Sequence, residues 1–239
     1  MKAAVISDLH FVSDPHFAQE GRSLCEGRLG GIADRLLVRA VEKLKDASPD
    51  LLILCGDLVN DPADLGSLRK LRTVLDGIDM PMIVIPGNHD PLPETFYTVM
   101  PRPPEYLDAG NVRFVPFCDR ETPGWNAVRS QDDIARMKRC RDGFGGRIVS
   151  VQHTPLFEAG SSDCCYAVEN AAEVIDGSFE YAISGHYHPG MPPARGKRLL
   201  SWIVPALCEK PFGFAVIDFG DGTGTPDCRF PALEPQTAG

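Results

Sequence analysis

The residues of this chain best suited to chemistry are histidines, aspartates and an asparagine in five short motifs. The motifs are Asp8-Leu9-His10, Gly56-Asp57, Gly87-Asn88-His89-Asp90, the isolated His153 and Gly185-His186-Tyr187-His188. Each follows an apolar stretch, and these stretches are Ala3-Ala4-Val5-Ile6, Leu51-Leu52-Ile53-Leu54, Met82-Ile83-Val84-Ile85, Ile148-Val149-Ser150-Val151 and Tyr181-Ala182-Ile183. Polar side chains at the ends of buried strands build one composite site along one edge of a sheet. Imidazole, carboxylate and amide groups without cysteine suit divalent metals of intermediate hardness.

The spacing within the motifs favours shared metal sites. Asp8 and His10 are two residues apart, so that both side chains can point to the same side at a strand end. His186 and His188 repeat this spacing, and the carboxylate of Asp57 has two oxygens that can each bind a different cation. The candidate metal ligands are Asp8, His10, Asp57, Asn88, His153, His186 and His188. With one ligand shared they make two sites of four, and two cations ~3.5–4 Å apart form the usual clamp for in-line attack on phosphorus.

The order of the motifs, which is DxH, GD, GNHD, an isolated histidine and GHxH, resembles that of the calcineurin-like metallophosphoesterases. Each motif alone is weak, whereas five in this order, each after a predicted strand, are specific. The resemblance covers roughly Met1 to Pro189. It implies an α/β fold in four layers, with two mixed β-sheets packed face to face and flanked by helices. We expect residues 1–239 to form a single domain of this kind.

The resemblance also implies roles for the candidate residues. One metal would be held by Asp8, His10, Asp57 and His188, and the other by Asp57, Asn88, His153 and His186. A hydroxide bridging the metals would attack phosphorus in line. Asp57 and His89 are therefore the expected catalytic residues, Asp57 by bridging the metals and His89 by contacting the phosphate and protonating the leaving oxygen. Mn²⁺, Fe or Zn²⁺ is expected rather than Mg²⁺, because imidazole is a poor partner for Mg²⁺.

The group that orients His89 stays open at this point. Some members of the family carry an aspartate three residues after the aspartate of the GD motif, where it orients the histidine. Here that position is Asn60. Asp90 and Asp61 are the carboxylates nearby that could substitute for it.

The elements that position these motifs follow from the apolar pattern. The first 90 residues read as β-α-β-α-β, with a helix near 33–47 and a second whose N-cap we expect at Asp61. Right-handed crossovers would make the three strands parallel and bring their motif-bearing ends to one edge. In the second half we predict strands at 112–117, 147–151, 181–184, 199–204 and 212–219, a short helical turn near 94–100 and a helix over 131–139. The tail after Gly220 is expected to be a surface extension.

The charge and the cysteine content of the chain limit the binding partners and the cellular compartment that we expect. The chain has 33 acidic and 24 basic side chains, a net charge of −9, which disfavours a nucleic-acid polymer as partner because such affinity depends on lysine and arginine. Eight cysteines occur without a CxxC motif, and no secretory segment or membrane-spanning run is recognisable. We therefore expect a reduced, cytoplasmic protein without a membrane partner.

The motifs define a reaction centre but leave the substrate open between monoester and diester, and they say nothing of oligomeric state. A small phosphate ester, with a nucleotide favoured, is the expected substrate. The alternatives are a DNA-processing nuclease of the same superfamily and a non-catalytic metal-binding scaffold. Substrate selection is expected in the loops 11–30, 91–110 and 118–146, and Arg22 or Arg28 is a candidate phosphate contact. Trp125 and Trp202 are interpreted as core residues rather than as platforms on which a base would stack.

Overall fold

Thirteen strands and five α-helices make up the described part of the chain in the computed structural model, which comprises residues 1–14, 16, 27–221 and 224–233. The strands are β1 (Lys2–Ile6), β2 (Leu51–Cys55), β3 (Met82–Ile85), β4 (Leu107–Ala109), β5 (Val112–Pro116), β6 (Arg120–Thr122), β7 (Asn126–Val128), β8 (Arg147–Val151), β9 (Tyr181–Ser184), β10 (Met191–Arg195), β11 (Leu200–Ile203), β12 (Ala215–Asp218) and β13 (Asp227–Arg229). The helices are α1 (Ala33–Leu44), α2 (Leu65–Leu75), α3 (Pro93–Phe96), α4 (Gln131–Arg141) and α5 (Ala171–Val174).

Two mixed sheets carry the fold. The first has the order β13-β12-β1-β2-β3, and its strands β1, β2 and β3 are parallel, as the sequence predicts. The second has the order β10-β11-β9-β8-β5-β4, in which the four central strands are parallel and the two edge strands antiparallel to their neighbours. Parallel strands place their carboxyl ends at one edge, and the polar motifs therefore meet there.

Three apolar clusters separate four layers. Alternate side chains of a strand point to opposite faces, so Val5 packs between the two sheets whereas Ile6 faces outward against α1 and α2. The cluster between the sheets includes Phe114 and Trp202 from the second sheet. The outer face of that sheet packs against α4, for example through Met137. The predicted α/β fold of two mixed sheets flanked by helices is confirmed.

Two local predictions are wrong. Helix α2 begins after Asp64, whose side chain accepts a hydrogen bond from the backbone N–H of Ser67 at 2.9 Å, while Asp61 closes a preceding turn by accepting one from the N–H of Ala63. The tail after Gly220 is not only a surface extension, because β13 pairs with β12 in antiparallel fashion and Leu233 is buried. Every helix in the described part of the chain is too short or too polar to traverse a lipid bilayer.

Candidate metal centre

Several candidate ligands lie where the chain turns sharply after a strand. Asp8 and His10 follow β1, Asp57 follows β2, and His186 follows β9, and all four have positive φ angles, between 45° and 67°. This left-handed backbone is unfavourable for residues with a Cβ and is concentrated at functional sites. The chain thus gives up backbone stability to aim these side chains at one point.

The first group of converging atoms comes from the first and the last motif of the chain, together with Asp57. His10 Nε2 lies 3.1 Å from His188 Nε2 and 3.5 Å from Asp57 Oδ2. Asp8 Oδ1 lies 3.5 Å from His188 Nε2, yet it is buried and has no hydrogen-bond partner among the described residues. A buried carboxylate oxygen left in this way is costly unless a cation binds it. Asp8, His10 and His188 therefore fit a metal site.

The second group shares Asp57 with the first. His153 Nε2 lies 3.3 Å from Asp57 Oδ2, 3.2 Å from Asn88 Oδ1 and 3.2 Å from His186 Nδ1. Asp57 Oδ2 thus belongs to both groups, as a bridging ligand would. All seven candidate ligands are brought together at one edge of the sheets.

Hydrogen bonds on the far side of the rings fix which nitrogen of His153, His186 and His188 faces the centre. His153 Nδ1 lies 2.8 Å from the carbonyl oxygen of Cys55, and His186 Nε2 lies 2.8 Å from that of Trp125. A carbonyl oxygen can only accept, so these nitrogens carry a proton, and the opposite nitrogens face the centre, where they bind either a second proton or a metal ion. His188 Nδ1 faces a carboxylate oxygen of Glu209 at 2.6 Å. Such outer partners are typical of metal-binding histidines.

Two glycines permit the close approach of these loops. A Cβ on Gly87 would collide with the Asp57 carboxylate, and one on Gly185 would collide with the hydroxyl of Ser7. Only a glycine lets the backbone pass at these positions. The glycines of the GNHD and GHxH motifs are therefore required by packing at the centre.

His89 lies beside the two groups without belonging to the predicted ligands. Its ring meets that of His10 edge-on at 4.7 Å between centroids, and its backbone N–H donates to Asp57 Oδ1 at 2.8 Å. Its Nδ1 lies 3.0 Å from the backbone carbonyl oxygen of Asn60. A main-chain carbonyl thus orients the ring, where the sequence had suggested Asp90 or Asp61.

Asp90 instead joins two loops of the centre. Its buried carboxylate accepts hydrogen bonds from the backbone N–H groups of Gly87, Leu58 and Val59, at 2.8–3.1 Å. Burial and the nearby charge of Asp57 raise the pKa of Asp90 to about 7 despite these donors. Asp90 therefore holds the loop that carries Asp57 against the loop that carries the GNHD motif.

Opposite charges dominate the electrostatics of the centre. Burial alone would lower the pKa of His153 and His188, but Asp57 raises that of His153 to about 10, and Asp8 with Glu209 raises that of His188 to about 9. Burial outweighs the carboxylates at His10 and lowers its pKa to about 4. The pKa of the Asp57 carboxyl is held below its usual range by His153, against the effect of burial. Protons and cations compete for such nitrogens and oxygens.

An open cavity of about 580 Å³ adjoins the centre. Besides ligands and His89 it is lined by Arg28, Trp125, Tyr166, Tyr187, Pro189 and Glu209. Arg28, one of the two predicted phosphate contacts, donates from Nε to Glu209 at 3.2 Å, whereas Arg22 lies outside the described residues. Trp125 is 53% exposed, so its interpretation as a core residue is wrong, while Trp202 is buried as predicted.

Sequence reasoning missed Glu209, Trp125 and Tyr166 as parts of the site. Glu209 has a weak signal, because it is an acidic residue directly after the buried pair Leu207-Cys208. Tyr166 has none, since it lies in an irregular segment between β8 and α5.

Comparison with known proteins places the chain in a family. The profile of the calcineurin-like phosphoesterases matches residues 1–190. The chain belongs to the calcineurin-like phosphoesterase family. The family resemblance read from the motifs is confirmed.

Individual proteins are similar to this calcineurin-like phosphoesterase either over part of the chain or at low sequence identity. A probable cyclic nucleotide phosphodiesterase of Synechococcus is 35% identical over 104 residues, 44% of this chain and 36% of the relative, so the match spans about a third of that protein. A probable cyclic nucleotide phosphodiesterase of Xenorhabdus bovienii is 23% identical over 205 residues, 76% of this chain and 82% of the relative. The fold is similar to that of a dimetal phosphatase from Danio rerio, with a TM-score of 0.72 and 15% identity over 95% of this chain and 98% of that one.

Proposed function

We propose that this calcineurin-like phosphoesterase hydrolyses a small phosphate ester with the help of two divalent transition-metal ions. The observation that carries the proposal is the convergence of seven ligand side chains in two groups that share Asp57 Oδ2. One ion would be held by Asp8, His10, Asp57 and His188, and the other by Asp57, Asn88, His153 and His186. Two such ions, when bound, would polarise the phosphoryl oxygens, stabilise the negative charge that develops on them and activate a water.

The remaining chemistry falls to the chain itself. The Asn60 carbonyl oxygen accepts a hydrogen bond from Nδ1 of His89, so a proton on Nε2 is the second proton of the ring, that of the imidazolium form. From there His89 would donate that proton to the oxygen that leaves phosphorus, as a general acid. The hydrogen bond from the His89 N–H to Asp57 Oδ1 joins the candidate acid to the residue that both metals would share.

A nucleotide is the favoured substrate. Two relatives bear the name of probable cyclic nucleotide phosphodiesterases. The cavity beside the centre, about 580 Å³, matches a small ligand, and Arg28, which pairs with Glu209 on its wall, would lie near a phosphate bound there. The net charge of −9 argues against a polymer that needs many phosphate contacts.

The decisive experiment is an activity panel combined with metal analysis. Protein purified without chelators is assayed with Mn²⁺ on p-nitrophenyl mono- and diesters, cyclic nucleotides and a long DNA strand. We expect about two transition-metal ions per chain and turnover of a small ester. Faster degradation of DNA than of any small diester would favour the nuclease, and bound metal without any turnover would favour the scaffold.

A further inference from the structure

Aromatic side chains line one part of the cavity beside the metal centre. Trp125 lies in the three-residue loop between β6 and β7, and 53% of its surface is exposed. The ring of Tyr166 lies 4.7 Å from that of His186 and 6.2 Å from that of Tyr187, measured between centroids. We call Trp125, Tyr166 and Tyr187 the aromatic wall. It borders a metal ligand directly.

The loop geometry does not account for a tryptophan at position 125. Its φ angle is 64°, directly after Gly124 with a φ of 84°. A bulky residue in this left-handed region is a genuine outlier, whereas glycine or asparagine adopts it easily. The carbonyl oxygen of residue 125, which receives the His186 hydrogen bond, could come from any amino acid. Neither the turn nor the metal site therefore explains the indole ring.

Hydrogen bonds join the two backbone segments that carry Trp125 and Tyr166. The side-chain oxygen of Asn126, next to Trp125, accepts a hydrogen bond from the N–H of Ala167, next to Tyr166, at 2.9 Å. Ala127 adds two backbone bonds, donating to the Ala167 carbonyl oxygen at 3.2 Å and accepting from the N–H of Glu169 at 2.8 Å. A surface ordered in advance loses little entropy when a ligand binds.

We propose that the aromatic wall binds the nucleobase of a nucleotide whose phosphate is directed to the metal centre. The proposal rests on the proposed phosphoesterase function. It adds that the base contributes to the affinity of the protein for its substrate. Stacking on aromatic rings suits a planar base and tolerates any base, because every base has a π-face. A neutral base is also not repelled by the negative charge of this chain.

The first test compares two ligands that differ only by the base. Adenosine 5′-monophosphate and ribose 5-phosphate are used as competitive inhibitors of the metal-loaded protein. We expect the nucleotide to bind roughly 5- to 140-fold more tightly, corresponding to about 1–3 kcal/mol of stacking at 1.4 kcal/mol per tenfold. Trp125→Asn keeps the carbonyl and the left-handed backbone, and it should bring the ratio of the two inhibition constants towards one. Tyr166→Leu should lower the ratio as well, whereas Phe230→Ser, an exposed aromatic beside β13, should not.

The second test needs no turnover. The chain has two tryptophans, and Trp202 is only 1% exposed. Adenosine 5′-monophosphate should therefore quench the fluorescence of Trp125 in the metal-loaded protein, ribose 5-phosphate should not, and Trp125→Asn should lose the response. Equal inhibition constants together with an unchanged fluorescence would overturn the aromatic wall as a base site. Failure to hydrolyse any ester, with the quenching intact, would count against the proposed function alone.

Discussion

The bond between Glu209 and His188 offers the sharpest test of the metal centre. Glu209 lies outside the predicted ligands, yet its carboxylate oxygen is 2.6 Å from His188 Nδ1. We expect Glu209→Ala to weaken the binding of one metal ion, because His188 loses the acceptor that fixes its tautomer and direction. Glu209→Gln keeps an uncharged acceptor and should have a smaller effect.

The magnitude follows from the type of hydrogen bond. A bond to a charged group contributes about 1.5–3 kcal/mol, and 1.4 kcal/mol corresponds to a tenfold change in affinity. The side chains of His188 and Glu209 are 13% and 22% exposed, and Arg28 competes for the same oxygen. Water and arginine reduce the net contribution, so we expect the lower half of the range, roughly 10- to 40-fold for Glu209→Ala. A neutral acceptor is worth about 0.5–1.5 kcal/mol, so Glu209→Gln should lose only a few-fold.

The assay is a titration of metal-free protein with Mn²⁺ in competition with a chromogenic chelator, which separates two binding steps. Glu42→Ala, which removes an exposed carboxylate from α1, is the matched control for net charge. Thermal unfolding of each metal-free variant shows whether the fold is retained. Wild-type affinity for both metals in a folded Glu209→Ala variant would refute the reasoning.

Three further predictions concern the acid, the fold and the substrate. His89→Ala should keep its metals by elemental analysis yet lose turnover by roughly 10²-fold or more, and the loss should shrink for a p-nitrophenyl ester, whose leaving oxygen needs little protonation. Asp119→Ala should lower the free energy of unfolding by about 3–5 kcal/mol in denaturant titrations, because it leaves the buried guanidinium of Arg129, now paired at 2.8 Å, without its carboxylate. The KM for a small ester should change only a few-fold between 50 and 200 mM salt, whereas a substrate held by six or more phosphate contacts would lose roughly 10³-fold in affinity.

The leading half of the fold could be predicted because its strands are short, apolar and punctuated by polar motifs. The parallel order of β1, β2 and β3 and the meeting of their ends follow from that pattern. Strand β13 could not be predicted, since three residues with the burial pattern of an exposed edge carry no periodic signal. The start of α2 was ambiguous for a different reason, because Asp61 and Asp64 are both suitable caps and only the fold decides between them.

The candidate site could likewise be predicted only in part. The motif residues can be recognised in the sequence by their type and position, whereas the groups that hydrogen-bond to them are determined by tertiary contacts. The group that orients His89 is a backbone carbonyl, which any residue at position 60 would supply. Glu209 reaches His188 across 21 residues of chain that include β10 and β11. Such partners become visible only when the segments are placed in space.

The left-handed backbone of Asp8, His10, Asp57 and His186 has a consequence for directed evolution. Glycine relieves an unfavourable φ at such positions, by roughly 1 kcal/mol each. A library screened for heat resistance alone would therefore accumulate these replacements and lose activity, because the most stable sequence is not the active one. Selection that includes metal retention at every round would keep the four residues in place.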